Sequence, residues 1–184
     1  TIEMQAQGVG YEEVTGVRDW YFHRFALPVE SVTSSSITKE PNNGVYLYGW
    51  DYELNNWSDP LSWDQLQPFY GYSMTPNAEY GNMTITIKGQ LVGNTNRTLN
   101  FSRGYNFFGN SYTGYISVLK LISMLGADEN IDGTVWMWNT EFQTYGAVAL
   151  GMLQRNPSRF EDWQKEVAPM QTFVLRLMGA ESGS

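Results

Sequence analysis

Hydrophobic and polar positions along this chain alternate in short runs, and few stretches repeat at helical spacing. Met83-Thr84-Ile85-Thr86-Ile87-Lys88 alternates cleanly, as a half-buried strand does, and Thr1 to Gln7 does so more weakly, as an edge or first strand. Arg18 to Phe25 predicts a strand with Trp20, Phe22 and Arg24 on one face and Tyr21, His23 and Phe25 on the other. Val45 to Asp51, Phe69 to Met74 and Gln171 to Leu177 read as further strands. The centre of the chain holds two strong runs. Arg103 to Tyr112 is an aromatic strand halted by Gly109-Asn110, and Ile131 to Asn139 is a turn feeding a strand through Trp136 and Trp138, with Phe142 to Leu150 as its partner. Ile116, Leu119, Ile122 and Leu125 fall near helical spacing and Gly126 follows them, which predicts a helix.

Turn chemistry divides these runs. Glu53 to Asn56 reads as a hairpin turn leading to Trp57, and Gly93-Asn94 predicts a return into a strand over Arg97 to Phe101. Ser31 to Asn43, rich in Ser and Thr, reads as a loop. Asp59-Pro60 and Asn156-Pro157 each place a capping side chain before a proline. They predict short helices, one from Pro60 to Leu66 and one carrying Phe160, Trp163 and Val167.

The two halves line up element by element. Arg18 to Phe22 matches Arg103 to Phe107 at an offset of 85 (103 minus 18), and Trp50 matches Trp138 at 88 (138 minus 50). Trp63 matches Trp163 at 100 (163 minus 63), and Pro68-Phe69 matches Pro169-Met170 at 101 (169 minus 68). The offset only grows, as lengthening loops in a second copy would make it. Neither unit buries its aromatic face alone, so the copies are expected to pack sheet on sheet. The expectation is one all-β domain with short helices over 1–184. It is a jelly-roll-like β-sandwich with pseudo-repeats at about 18–89 and 103–178.

Composition narrows the function more than the fold. Aromatic residues make up 15% of the chain, a density that favours pleated, half-buried surfaces. The net charge of -8, with 11 Lys+Arg and no basic run, argues against a nucleic-acid partner. With no Cys, disulfide staples and thiolate metal sites are excluded. No apolar run reaches the roughly 18 residues that a membrane-spanning helix needs. The chain opens mid-pattern at Thr1 with no signal peptide, as a mature protein or an excised piece of a longer one would.

Gly104 to Gly114, Ile131 to Asn139 and Met170-Gln171-Thr172-Phe173-Val174 together resemble a module of large secreted and cell-surface proteins of Bacteroidetes, many exported by the type IX system. Its pattern runs Gly-Trp-Asn-Leu-Ile-Gly-Asn-Pro-Tyr-Pro-Ser, then an Ile-Asp-Gly-Thr-Ile-Tyr-Trp-Asn-like stretch, then Gln-Gly-Phe-Phe-Val. Trp20 to Phe22, Tyr48 to Trp50 and Gly71-Tyr72 fall where that family places upstream strands, so the likeness covers most of Arg18 to Leu177. Ser111 and Thr113 stand where the family has proline, and Thr172 replaces the glycine of its Gln-Gly-Phe. The resemblance implies a secreted or outer-membrane surface location and a non-catalytic role in adhesion or spacing. Its partners would be a protein or glycan at the cell surface and other domains of a longer parent chain.

Candidate chemistry is sparse. Asp128 to Gly133 matches the first half of a calcium loop, but its twelfth position is Asn139 where a bidentate Glu is needed. Asp132-Gly133 reads better as a turn entering a strand, so no metal is assigned. His23, the single histidine, alternates within an apolar strand, and there is no Gly-x-Ser-x-Gly nucleophile elbow. Glu12, Glu13, Asp51, Glu53, Asp64 and Glu141 single out no carboxylate pair for glycoside hydrolysis. No catalytic residue and no cofactor are expected, and the chain is read as not an enzyme. The aromatic surplus points instead to binding. Sugar-binding modules stack pyranose rings on exposed Trp and Tyr beside orienting amides. Trp50, Tyr52, Asn55 and Trp57 are the leading glycan-contact candidates, with Trp136, Trp138 and Tyr145 in the second half. The competing reading places these rings in the core. A non-catalytic adhesion or assembly module leads, and a carbohydrate-binding module is the alternative.

Overall fold

The computed structural model describes residues 1–6, 10–11, 18–19, 22–38, 44–62, 64–76, 83–125, 130–139 and 141–178. The fold is all-β with short helices. The first half contains β1 (Ile2–Ala6), β2 (Gly10–Tyr11), β3 (Arg18–Asp19), β4 (His23–Ala26), β5 (Val32–Thr33), α1 (Ser34–Thr38) and β6 (Val45–Tyr48). It continues through β7 (Trp50–Asp51), β8 (Asn56–Trp57), β9 (Gln65–Leu66), β10 (Gly71–Pro76) and β11 (Met83–Ile87). The second half contains β12 (Gly104–Gly109), β13 (Ile116–Ser117), α2 (Val118–Leu125), β14 (Thr134–Asn139) and β15 (Thr144–Ala149). α3 (Leu150–Arg155), a 3-10 turn at Pro157–Arg159, α4 (Asp162–Lys165), β16 (Glu166–Val167) and β17 (Thr172–Leu177) complete it.

Two antiparallel sheets carry the fold, in the orders β4-β10-β6 and β12-β17-β14-β15. Period-2 alternation gives each strand a core face. In the first sheet Phe25, Leu47, Tyr72 and Met74 meet Ile37 of α1 and Ile85 and Ile87 of β11, which pairs with β1. In the second, Phe108, Val135, Met137, Phe173 and Leu175 meet Val118 of α2, Leu153 of α3 and Val167. Each sheet therefore has its own core, closed on one side by short helices.

The halves share their connections as well as their strand order. β5 pairs with β9 just before β10, and β13 pairs with β16 just before β17. Asn55 and Gln143 both take left-handed backbone, 88 residues apart (143 minus 55), and so do Phe69 and Met170, 101 apart (170 minus 69). Through their partners on β10 and β17, Ala26 corresponds to Gly109, an offset of 83 (109 minus 26). That register is two residues from the 85 of the sequence match at Arg18 and Arg103. Trp63, part of another match, lies outside the described residues, as do Trp20 and Tyr21.

Four local expectations are corrected, the first being the helix after Asn156-Pro157: it carries Trp163 alone, with Phe160 extended before it and Val167 in β16. Ser34–Thr38 is helical, where a loop was expected. Ser36 Oγ donates to Thr33 O and Thr38 Oγ1 to Ser34 O, so the hydroxyls back-bond while Ile37 anchors the turn in the core. No helix forms at Pro60–Leu66 among the described residues. Leu61 N instead donates to Leu47 O, and Gln65–Leu66 joins β5. Arg97 to Phe101 is coil, not strand, because Leu99 and Phe101 turn into the second core.

Buried phenols set an alkaline limit on this fold. The Tyr72 hydroxyl is pushed up to about 12 by burial, partly opposed by its hydrogen bonds with the Gln67 backbone. Burial pushes Tyr52 and Tyr145 upward too. In the unfolded chain a tyrosine ionises near pH ~10. Between pH ~10 and ~12 the folded state thus keeps protons that the unfolded state releases, and stability falls as pH rises. Tyr72 alone accounts for about 2–3 kcal/mol by the top of that window. Urea midpoints should drop steeply between pH ~10 and ~12, with delayed phenolate absorbance for the buried tyrosines. A flat midpoint through that window would contradict the burial of these hydroxyls.

Candidate functional site: an aromatic joint and its cleft

The face of each sheet opposite its core is where the two halves meet. On β12 that face carries Tyr105 and Phe107, on β14 Trp136 and Trp138, on β17 Val174, and on β4 it carries Arg24. Ala26 N donates to Met170 O and Gly109 N to Phe69 O, both at 2.9 Å, so the first strand of each half is tied to the left-handed turn of the other.

A hairpin from each half grips the other half's first strand. In the β7–β8 hairpin, Trp50 pairs with Trp57, and Asp51 Oδ1 accepts from the N–H groups of Glu53 and Leu54. This Asx cap holds the turn that puts Asn55 at φ 51°. Asn55 Oδ1 then accepts from Tyr105 N at 2.9 Å, Trp50 Nε1 donates to Tyr105 O at 2.8 Å, and Tyr52 Oη reaches Phe107 O at 3.4 Å. Gly104 at φ 94° is required beneath it, since a Cβ there would lie 2.7 Å from Asn55 Oδ1. The β14–β15 hairpin repeats the device. Asn139 Oδ1 caps Phe142 N, Gln143 Oε1 accepts from Phe22 N at 2.9 Å, and Trp138 Nε1 donates to Phe22 O at 3.1 Å.

The rings of each hairpin close on one side chain. Phe107 lies 4.2 Å from Trp50 and 4.7 Å from Trp57 between ring centroids. The matching position holds Arg24, whose guanidinium lies 4.9 Å from the Trp138 ring, 4.3 Å from Trp57 and 5.1 Å from Phe22. It also donates to Ser73 Oγ. Among the described residues it makes no ion pair, so aromatic faces do most of the work of holding this half-buried cation. Burial lowers its pKa, and the Arg24 charge in turn opposes the burial that raises Tyr145.

One side of the joint stays open. Trp50, Tyr105, Phe107, Trp136, Tyr145 and Val174 enclose a cleft of about 280 Å³, and the Arg176 guanidinium lies 5.4 Å from the Tyr105 ring. Its chemistry is that of an apolar receptor for a flat or aliphatic group.

The four residues expected to contact glycan are brought together here, but Trp50 Nε1, the Tyr52 hydroxyl and Asn55 Oδ1 are engaged internally. Trp50, Tyr52 and Asn55 bond the β12 backbone, and Trp57 lies between Arg24 and Phe107. One face of Trp50 still lines the cleft, beside Trp136 and Tyr145. Tyr105, Phe107 and Arg24 were not foreseen as joint residues. Their signal was alternation: they face away from Phe25 and Phe108, and an aromatic strand with two apolar faces must bury both.

His23 sits on β4 opposite Met74. Asp51 and Asp64 cap neighbouring N–H groups, and Glu12 and Glu13 lie outside the described residues. So do Asp128 and Glu129 of the calcium-like run. Asp132 N donates to Arg176 O, tying the turn to β17, and among the described residues no three metal-ligating side chains gather. At the family's first proline position, Ser111 Oγ accepts from Phe69 N at 2.7 Å. Asn110 Nδ2 donates to Gly114 O and Val167 O, closing the Gly-Asn turn. Thr172 is buried, and among the described residues its hydroxyl has no hydrogen-bond partner. Among the described residues no helix is long and apolar enough to cross a membrane.

Compared with known protein families, with characterised proteins and with solved structures, the chain matches none.

Proposed function

We propose that this chain is a non-catalytic module of a secreted or surface-attached bacterial protein, serving adhesion or structural assembly. The observation that carries the reading is the reciprocal hairpin joint, in which Trp50 and Asn55 bond Tyr105 while Trp138 and Gln143 bond Phe22. An aromatic surplus placed this way welds two small sheets into one body, which suits a spacer or adhesive domain under load. The motifs at Gly104 to Gly114 and Ile131 to Asn139, with their likeness to surface modules of Bacteroidetes, support the same reading. The partners are a protein or glycan at the cell surface and further domains of a longer parent chain.

The test is attachment without turnover. Beads coated with the chain should be held under shear on bacterial cell envelopes, and chromogenic ester, glycoside, phosphate and peptide substrates should stay intact. Turnover of any of these, or beads that wash off every surface tried, would overturn the reading.

A further inference from the structure

The longest stretch without strand or helix in the described structure joins the two halves. Residues 88–103 contain one isolated bridge, Leu91 with Val29, and are otherwise coil. Structureless connections beyond about 12–15 residues are usually either functional or slack linkers. This one is not slack. Val92 N donates to Pro28 O, Arg97 pairs with Glu30 at 2.6 Å, and the Tyr112 hydroxyl donates to Thr95 O at 2.6 Å. Tyr112 is itself braced against Phe69, ring centroids 4.8 Å apart.

The pinned loop walls a groove against the segment that leads into α2. Two adjoining cavities, of about 480 Å³ and about 330 Å³, share Asn94, Tyr112 and Tyr115. Leu99, Leu121 and Phe173 reach into the larger one, and Asn96, Arg97 and Lys120 bring polar and charged groups to it. Tyr115 is 68% exposed. Among the described residues its ring touches no other ring and its hydroxyl makes no hydrogen bond. The side-chain amides of Asn94 and Asn96 make none either. In the Trp50 hairpin, by contrast, Trp50 Nε1, the Tyr52 hydroxyl and Asn55 Oδ1 are already bonded within the chain.

We propose that this groove binds carbohydrate, with Tyr115 as the stacking platform and Asn94 and Asn96 orienting ring hydroxyls. A free tyrosine face matches the C–H face of a pyranose, and each amide offers both a donor and an acceptor, which is what vicinal hydroxyls require. The joined volumes lie in the range of ligand sites and run past one sugar ring, so the ligand is an oligosaccharide. The proposal deepens the adhesion reading by naming what is gripped.

The chain is titrated against a panel of soluble neutral, amino and uronic oligosaccharides, with a peptide library as the second arm. At least one oligosaccharide should bind, and Tyr115→Ala should weaken it about tenfold, the effect of losing one stacked aromatic. Asn94→Ala with Asn96→Ala should weaken it at least as much. All three positions are exposed, so near-ultraviolet circular dichroism should not change. No oligosaccharide binding, binding indifferent to these variants, or peptide binding in place of sugar would each overturn the proposal. Beads that fail to attach while the sugar titration succeeds would sink the adhesion reading and leave the groove standing.

Discussion

Gly109→Ala destabilises the protein by about 3 kcal/mol, the upper end of what one added methyl costs in a packed interior. A Cβ on Gly109 would lie 2.4 Å from the Ala26 Cβ and 3.1 Å from Gln171 O. The first contact is with a methyl that has no rotamer to escape into, and both strands are held there. Gly109 N donates to Phe69 O and Ala26 N to Met170 O, so neither backbone can retreat without breaking a bond across the joint. The two residues occupy corresponding positions, one on each first strand, and the space between them admits a single methyl. Gly109→Ala combined with Ala26→Gly should therefore recover most of the loss in urea unfolding, and Gly109→Val should not fold. Additive losses in the double variant would show that the methyls do not share that space.

Much of this was legible in the chain. Met83–Ile87 alternates cleanly, Thr134–Asn139 and Thr172–Leu177 read as strong strands, and strands form at all three. The offsets of 88 and 101 were also readable, because Trp50 and Trp138 and the Pro68 and Pro169 turns are rare residues at fixed places, and the left-handed pairs recur at those same spacings. The 83-residue register at Ala26 and Gly109 was not readable, since it depends on which atoms pair across the sheet. The site was half legible. Trp50, Tyr52, Asn55 and Trp57 do cluster, but whether an aromatic hairpin faces water or another strand is decided by residues 50 or more positions away, such as Tyr105 and Phe107. Asn94, Asn96 and Tyr115 were missed for the opposite reason. Asn94 and Asn96 lie in a region whose Gly-Asn pair reads as a hairpin turn, which only the packing of Leu99 and Phe101 into the second core makes a loop, and Tyr115 lies past the separate Gly109-Asn110 pair.

Phe107→Ala should cost about 3–5 kcal/mol, the range for truncating a buried aromatic ring. Phe107 is 6% exposed and lies within 4.2 Å of Trp50, 4.7 Å of Trp57 and 6.1 Å of Tyr145 by ring centroids. Its removal takes the centre from the joint and leaves Trp50 and Trp57 facing a void continuous with the cleft. The loss should be coupled: Trp50→Ala should cost much less in the Phe107→Ala background than in the parent, by more than about 1 kcal/mol, because both changes empty one cluster. Unfolding should stay a single transition at lower urea. Each sheet buries its second face only against the other half, so neither has a stable state of its own to populate once the joint weakens. Two resolved transitions in Phe107→Ala, or strict additivity with Trp50→Ala, would mean that the sheets stand independently and that the joint is ornament. A single shifted transition with strong coupling would mean that the joint holds both halves of the domain together, as the adhesion reading requires of a module that bears load.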